Sequence, residues 1–208
     1  MTNQALHISP IDVLMQYAPL TLQQSLSRSE FKALAETFPD LQLERSKNGK
    51  VTIMSPVNKG SGKLEAYLIT IVGYWVIQNE LGESYSSSTG IELPDGAIKS
   101  PDCAWVSDQR LLATANQSDD EYLKVVPDFV VELRSKSDRV SSLQKKMEDI
   151  WMQNGVRLAW LIDPYQEKAW IYRERRDPQL IEGFSDKILS GEEVMPGLEL
   201  PLNKLSLK

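Results

Sequence analysis

Two acidic residues stand where a folded chain normally avoids charge. Glu132 lies within the apolar run 129–133, which is typical of a strand buried on both faces, and such a strand rarely holds an unpaired carboxylate. Asp102 follows Pro101 at the start of another predicted strand. Carboxylates from neighbouring strands form an oxygen-rich site of the kind that suits Mg²⁺ or Mn²⁺. Such an ion can activate water and stabilise charge that develops on a phosphoryl group.

Basic residues near these acids extend the predicted site. Arg134 lies two positions after Glu132 and, because side chains alternate along a strand, we expect it to face the same side. On the helix predicted to follow, Lys146 lies at about −60° and Lys145 at about 200° when both are measured from Leu143. Lys146 therefore flanks the apolar face of that helix and can reach the sheet to orient or deprotonate water. Lys145 is predicted to point to solvent.

The amino-acid composition argues against most other kinds of catalytic or metal site. The chain has one cysteine, Cys103, which excludes an intramolecular disulfide and a cysteine-based zinc cage. Its single histidine, His7, lies near the start, so a histidine-ligated metal or a Ser-His-Asp triad is not expected. Carboxylate, lysine, tyrosine and hydroxyl chemistry remain as the candidates.

Charge and hydropathy limit the partners. Lys and Arg total 23 against 29 Asp and Glu, giving a net charge of −6, so a nucleic acid would have to be bound through a local basic patch. No apolar run approaches the roughly 18 residues of a membrane helix, so no membrane partner is expected. Residues 1–9 lack the basic start and apolar stretch of a secretory signal. We therefore expect a cytoplasmic protein.

Hydrophobic periodicity predicts an α/β protein. The 208 residues fit a loosely ordered leader over 1–26 and a single domain over 27–208, with a catalytic core at about 60–165. Ser27 and Glu30 form a capping box at the start of the first helix. The predicted elements are a helix from 27 and a hairpin to 54 turning at Asn48-Gly49, a glycine-rich loop at 60–62, helices at 63–80 and 138–153, and strands at 85–93, 102–106, 129–133, 158–162 and 169–172. This order indicates a mixed sheet with helices on its faces.

Several motifs in this order resemble those of the Uma-two family, whose members are restriction-endonuclease-like proteins of the PD-(D/E)XK superfamily. The resemblance covers roughly residues 27–200. The motifs are Ser100-Pro101-Asp102, Pro127-Asp128-Phe129-Val130-Val131-Glu132-Leu133-Arg134-Ser135, Lys146-Met147 and Asn154-Gly155-Val156-Arg157-Leu158-Ala159-Trp160-Leu161-Ile162-Asp163-Pro164. The resemblance implies a restriction-endonuclease-like core with an N-terminal helix-hairpin extension. It also implies a divalent metal and phosphodiester hydrolysis, with DNA as the expected substrate.

The resemblance also implies roles for individual residues. Asp102 corresponds to the first acid of the motif and Glu132 to the second. Arg134 stands where the family lysine is expected; it cannot act as a base, but it can contact a phosphate or pair with Glu132. In this superfamily the lysine sometimes moves to the following helix, which matches Lys146, and Glu65 resembles an accessory acid able to support a second ion. The spacing from Lys146 to Gly155 is one residue longer than the resemblance implies.

Other interpretations of the same residues remain open. Asp102 could cap a turn, Glu132 and Arg134 could form a structural ion pair, and Lys146 could be an ordinary surface lysine. At the level of function, the chain could be a catalytically silent module that binds nucleic acid or a partner protein. It could also be a metal-independent hydrolase that uses a pair of carboxylates and acts on a substrate other than nucleic acid. A homodimer would suit the cutting of two strands.

Overall fold

The structure, a computed structural model, describes residues 20–54 and 56–207. The chain divides into two compact units, one drawn from residues 1–56 and 96–99, the other from residues 57–95 and 100–208. His7 and most of the predicted leader lie outside the described residues. The predicted division into a leader over 1–26 and a domain over 27–208 stays a prediction, although residues 20–25 form a strand.

The secondary-structure elements follow the predicted order closely. In chain order they are β1 (Leu20–Ser25), α1 (Arg28–Thr37), β2 (Gln42–Arg45), β3 (Lys50–Met54), α2 (Lys59–Asn79), β4 (Glu83–Ser86), β5 (Ile91–Glu92), β6 (Ile98–Lys99), β7 (Cys103–Val106), α3 (Asp108–Leu111), a 3₁₀ turn (Leu112–Thr114), β8 (Phe129–Leu133), α4 (Val140–Lys146), a π-helical segment (Met147–Met152), β9 (Leu158–Asp163), β10 (Lys168–Arg173), β11 (Gln179–Glu182), β12 (Ile188–Ser190), β13 (Glu199–Pro201) and a 3₁₀ turn (Leu202–Leu205). None of the helices among the described residues is long and apolar enough to cross a membrane.

The first unit contains the predicted helix and hairpin. The capping box at the start of α1 is confirmed, since Ser27 N–H donates to Glu30 Oε2 at 2.7 Å and Glu30 N–H donates to Ser27 Oγ at 3.3 Å. Strands β2 and β3 pair antiparallel. Gly49 adopts a φ of 81° at their turn, a conformation that favours glycine. Strand β1 extends this sheet beside β3, and β6 pairs with β2 on the other side.

The second unit contains a six-stranded mixed sheet in the order β11-β10-β9-β8-β7-β4. Strands β8 and β9 pair in parallel, whereas β7 pairs antiparallel with β8 and β10 pairs antiparallel with β9. The parallel connection runs through α4 and the π-helical segment, because a parallel pair needs a long crossover. The predicted mixed α/β fold is therefore confirmed.

The core of the second unit lies between this sheet and helix α2. Leu64, Leu68 and Val72 form the buried face of α2 and are at most 1% exposed. Phe129 and Trp160 from the adjacent strands β8 and β9 pack edge to face, with ring centroids 4.7 Å apart. Strand β8 is thus buried within an apolar layer, and a charged residue on it requires compensating partners.

Three predicted element boundaries were wrong. Residues 60–62 form the first turn of α2 rather than a loop, because the Asn58 side chain accepts a hydrogen bond from Ser61 N–H at 3.1 Å and caps the helix there. The strand predicted over 85–93 is split into β4 and β5. The segment after β7, where the sequence predicted no element, contains the short helix α3, capped by Ser107.

The helix predicted over 138–153 changes its winding at Met147. Its first half, α4, is α-helical, and residues 147–152 form a π-helical segment. Two hydrogen bonds join residues five apart, from Gln153 N–H to Glu148 O at 3.1 Å and from Val156 N–H to Trp151 O at 3.2 Å. A π turn contains more residues than an α turn. The crossover therefore takes more residues per turn beyond Met147 than a regular α-helix would.

Candidate functional site

Asp102 and Glu132 lie at neighbouring ends of paired strands. Strand β7 pairs antiparallel with β8 so that Cys103 faces Val131. One step further along the same register, Asp102 stands opposite Glu132. Leu133 N–H donates to Asp102 Oδ2 at 2.5 Å and fixes the Asp102 side chain against β8. The two acids predicted from the sequence are therefore brought together.

Glu132 is buried, at 4% exposed, and its carboxylate is held by two donors from the crossover. Lys146 Nζ lies 2.8 Å from Oε1 and donates to Oε2 at 3.0 Å. Trp151 Nε1–H donates to Oε1 at 2.8 Å. Both donors approach from the sheet face opposite Val131, since side chains alternate along the strand. The buried charge of Glu132 thus has an ion-pair partner and a neutral hydrogen-bond donor.

The pKa of Asp102 is shifted mainly by desolvation and by the charge of the acid opposite it. Desolvation, and then the negative charge of Glu132, raise the pKa of Asp102 from its ordinary value of 3.8 to about 8. The hydrogen bond from Leu133 and the positive charge of Lys146 act in the opposite direction. A proton or another cation at this position would relieve the repulsion between the two carboxylates.

Glu65, the predicted accessory acid, also lies near this pair. It belongs to α2, and its negative charge contributes to the raised pKa of Asp102. Ser87, just after β4, donates a hydrogen bond from its hydroxyl to Glu65 Oε1. Residues from a helix and three strand ends therefore surround one acidic site.

The helical position predicted for the lysines agrees with the structure. The Lys146 side chain is 19% exposed and contacts Glu132, whereas the Lys145 side chain is 79% exposed. The angle estimate succeeded because both residues lie within the α-helical half of the crossover.

Arg134 has a different acidic partner from the one the sequence suggested. Its Nη1 donates to both carboxylate oxygens of Asp163, at 3.1 and 2.9 Å, and its Nε donates to Asp138 O at 3.1 Å. The guanidinium also lies 5.5 Å from the ring centroid of Tyr165. Asp163 ends β9, the parallel neighbour of β8, so this pair connects the ends of the two strands.

Trp151 is the site residue that the sequence reasoning missed. The residue is fully buried, and its ring lies 5.9 Å from Lys146 Nζ. The pattern of the helix identified Trp151 as a core residue, which is correct for its ring. Its indole N–H could not be assigned to Glu132 from an α-helical projection, because the π-helical segment changes the direction of residues beyond Met147.

The donor chemistry of the site fits a divalent cation. Among the described residues, no group of three or more His, Cys, Asp or Glu side chains is arranged to hold a metal ion by itself. Mg²⁺, however, commonly uses one or two protein carboxylates together with water and substrate phosphate oxygens. Asp102 and Glu132 are two such carboxylates, and the negative charge of Glu132 contributes, after desolvation, to the raised pKa of Asp102. A divalent cation between them would offset that repulsion.

The mixed sheet, its flanking helices and the acids at paired strand ends define a restriction-endonuclease-like α/β protein. A crystal structure from Anabaena variabilis ATCC 29413, described as "a putative nuclease belonging to DUF820", superposes with a TM-score of 0.67. The two sequences are 16% identical, and the match covers 78% of this chain and 88% of that one. At this identity the likeness establishes the fold.

A family model shows the relationship at the level of sequence. The model described as "Uma2: Putative restriction endonuclease" matches residues 28–203. The chain therefore belongs to the Uma2 family. A search of curated proteins gave no significant match.

Proposed function

We propose that this protein is a Mg²⁺- or Mn²⁺-dependent endonuclease that hydrolyses phosphodiester bonds in DNA. The observation that carries the proposal is the pair of opposed acids, the buried Glu132 and the partly buried Asp102, with Lys146 in contact with Glu132. Membership of a family of restriction-endonuclease-like proteins supports a nucleic acid as the substrate. Nucleases of this fold generally use divalent metals.

In this proposal each acid has a defined task. Asp102 and Glu132 bind the metal ion, and Glu65 supports a second ion. A bound divalent ion supplies positive charge that stabilises the negative charge developing on the phosphoryl group. Leu133 N–H holds Asp102 in place, so one ligand is oriented by the backbone of the strand that carries the other.

The basic residues act on water and substrate. Lys146 is an ammonium donor beside Glu132 and orients the attacking water. The water oxygen loses a proton to solvent as it bonds to phosphorus, one ester P–O bond breaks, and the departing oxygen takes up a proton from solvent. Arg134 is anchored by Asp163 and has five N–H donors, so we assign it to contact with a substrate phosphate.

The test is cleavage of supercoiled and single-stranded DNA in Mg²⁺ or Mn²⁺, with a chelator and Asp102→Ala as controls. We expect cleavage that the chelator removes and that Asp102→Ala reduces by at least about 100-fold. A fully active Asp102→Ala variant would contradict the assignment. Activity that survives the chelator would favour metal-independent chemistry.

The lysine role has a matched pair of variants. We expect Lys146→Ala to reduce cleavage by roughly 10- to 100-fold, because it removes the donor that contacts Glu132. Lys145→Ala removes the adjacent lysine, whose side chain points to solvent. Equal activity of the two variants would contradict the role of Lys146.

A catalytically silent binding module is the second candidate. It is favoured by Arg134, which replaces the expected lysine and is paired with Asp163 instead of being directed at the two acids. The net charge of −6 points the same way. If the protein neither binds Mn²⁺ nor cleaves any DNA substrate, this candidate replaces the nuclease. A homodimer and a cytoplasmic location stay predictions.

A further inference from the structure

Two side chains five positions apart on the crossover reach the same carboxylate. Lys146 ends the α-helical half, and Trp151 lies in the π-helical segment that follows. Lys146 Nζ lies 2.8 Å from Glu132 Oε1, and Trp151 Nε1–H donates to the same oxygen at 2.8 Å. A regular α-helix would place residues five apart about 140° from each other around its axis. For both side chains to reach Glu132, the helix must therefore be wound differently from a regular α-helix between Lys146 and Trp151.

The π-helical segment supplies that explanation. Its i to i+5 hydrogen bonds make each turn wider, so residues five apart are separated by a much smaller angle than in an α-helix. Lys146 and Trp151 consequently share one face, and the ammonium lies 5.9 Å from the indole ring centroid. An uninterrupted α-helix in the same position could present one of the two side chains to Glu132, with the other directed away.

We propose that Trp151 is a positioning residue that fixes the carboxylate of Glu132 through its indole N–H. This inference rests on the proposed function, in which Glu132 binds the metal. Lys146 is a flexible side chain that is still 19% exposed, whereas Trp151 is fully buried and its ring is packed in the core. The indole is therefore the rigid donor of the pair, and it sets the orientation from which Glu132 offers its oxygens.

A buried tryptophan with an incidental hydrogen bond is the alternative, and Trp75 provides the matched control. Trp75 is 7% exposed, and its Nε1–H donates to the backbone oxygen of Pro196 at 3.0 Å. Replacing either residue with Phe removes one indole donor and leaves an aromatic ring in the core. A structural role predicts similar consequences for both variants, whereas a positioning role predicts different effects on the carboxylate site.

Metal affinity separates these roles. We expect Trp151→Phe to raise the dissociation constant for Mn²⁺ by about 10-fold or more, because the loss of a residue that orients a metal ligand commonly weakens metal affinity by this amount. Trp75→Phe should change it by less than about 2-fold, with a similar loss of melting temperature in both variants. Calorimetric titration of Mn²⁺ against each protein measures the difference. Unchanged Mn²⁺ affinity in a folded Trp151→Phe variant would overturn the proposal.

A second measurement needs no metal and no Trp151 variant. In ¹H–¹⁵N spectra of the metal-free protein, Glu132→Gln replaces a charged acceptor with a neutral one, so the indole signal of Trp151 should move. The signals of the other four tryptophans should stay in place. An unmoved Trp151 signal would overturn the proposal. If wild-type protein binds no Mn²⁺ and cuts no DNA, the nuclease proposal fails, and this signal still decides whether the Trp151 indole donates to Glu132.

Discussion

Strand β8 has a buried carboxylate at each end, and the charges around the two acids differ. Asp128, just before the strand, is 1% exposed. Its Oδ1 lies 3.2 Å from Arg110 Nε and 3.2 Å from Arg157 Nη1, and its Oδ2 accepts a hydrogen bond from Ser107 N–H at 2.9 Å. Two cations therefore compensate one acid at this end.

The opposite end of the strand has more acid than base. Glu132 is paired with Lys146, but Asp102 stands opposite it, and Glu65 adds further negative charge. An acid surrounded by arginines connects structural elements and has little attraction for another cation. An acid opposed by another acid retains negative charge that a metal ion can neutralise. This contrast separates the structural end of β8 from the end that we propose is functional.

Activity should show the largest difference between the two ends. We expect Glu132→Gln to reduce DNA cleavage by at least about 100-fold, because it removes one charge from the metal site. Asp128→Asn should retain activity within a few-fold at a temperature where it is folded. Initial cleavage rates in Mn²⁺ measure both. Comparable losses in the two variants would remove the distinction between the ends.

The loss of stability should be larger for Asp128→Asn than for Glu132→Gln, the reverse of the order expected for activity. Asp128→Asn leaves Arg110 and Arg157 without their charged partner, so we expect a loss of roughly 2–3 kcal/mol in the free energy of unfolding. The estimate allows for the exposure of the two arginine side chains, 27% and 42%. Glu132→Gln should lose less, because it also relieves the repulsion with Asp102. Urea unfolding curves test this order, and a larger loss for Glu132→Gln would reverse our interpretation.

The functional end should also make stability depend on pH. The pKa of Asp102 is about 8 in the folded protein and 3.8 ordinarily, so between these values the folded state keeps a proton that the unfolded chain releases. The resulting stability is fully present below pH 3.8 and is lost as pH rises through 8. Asp102→Asn has no such proton, and its amide oxygen can still accept from Leu133 N–H.

The stability of Asp102→Asn relative to wild type shows whether the pKa of Asp102 is raised or lowered in the folded protein. In metal-free buffer, the stability of Asp102→Asn relative to wild type should rise between pH 4 and 8, by at most about 1.4 kcal/mol per pH unit. Above pH 8 the difference should become constant. Urea unfolding across this range measures it, and a difference that falls with pH would exclude a raised pKa.

The smallest effect concerns Lys145. Its side chain is 79% exposed, and its Nζ lies 3.9 Å from Asp149 Oδ2, so Lys145→Ala should change stability by less than about 0.5 kcal/mol. Cleavage should remain within about 2-fold of wild type. A strong loss of cleavage would mean that the functional end of β8 includes a second lysine.

The sequence predicted the parts of the site that depend on regular periodicity. The position of Glu132 follows from an apolar strand, and the direction of Lys146 follows from the α-helical repeat. Trp151 could not be predicted because the repeat changes at Met147. The partner of Arg134 was also missed, since Asp163 is 29 residues away in sequence and becomes its neighbour through the parallel pairing of β8 with β9.

In the fold, too, elements with local sequence signals were predicted, and an element that depends on a distant partner was missed. The capping box at Ser27 and the turn at Gly49 are local signals, so helix α1 and its hairpin were predicted correctly. Strand β1 was missed because Leu20–Ser25 is largely exposed and has one short apolar alternation. Its strand conformation is stabilised by hydrogen bonds to β3, a partner that the segment itself does not specify.

The crossover between β8 and β9 also has a consequence for the order of folding. The two acids lie just before β7 and on β8, ahead of the lysine and tryptophan that compensate Glu132, so a chain emerging from the ribosome presents these negative charges first. At neutral pH the pairing of β7 with β8 brings Asp102 against Glu132, which raises the pKa of Asp102, and Lys146 counteracts this once the crossover has docked. Parallel pairing also forms slowly, because its contacts are distant in sequence. We therefore expect the Leu133 amide, which closes onto Asp102, to gain protection from hydrogen exchange late in refolding.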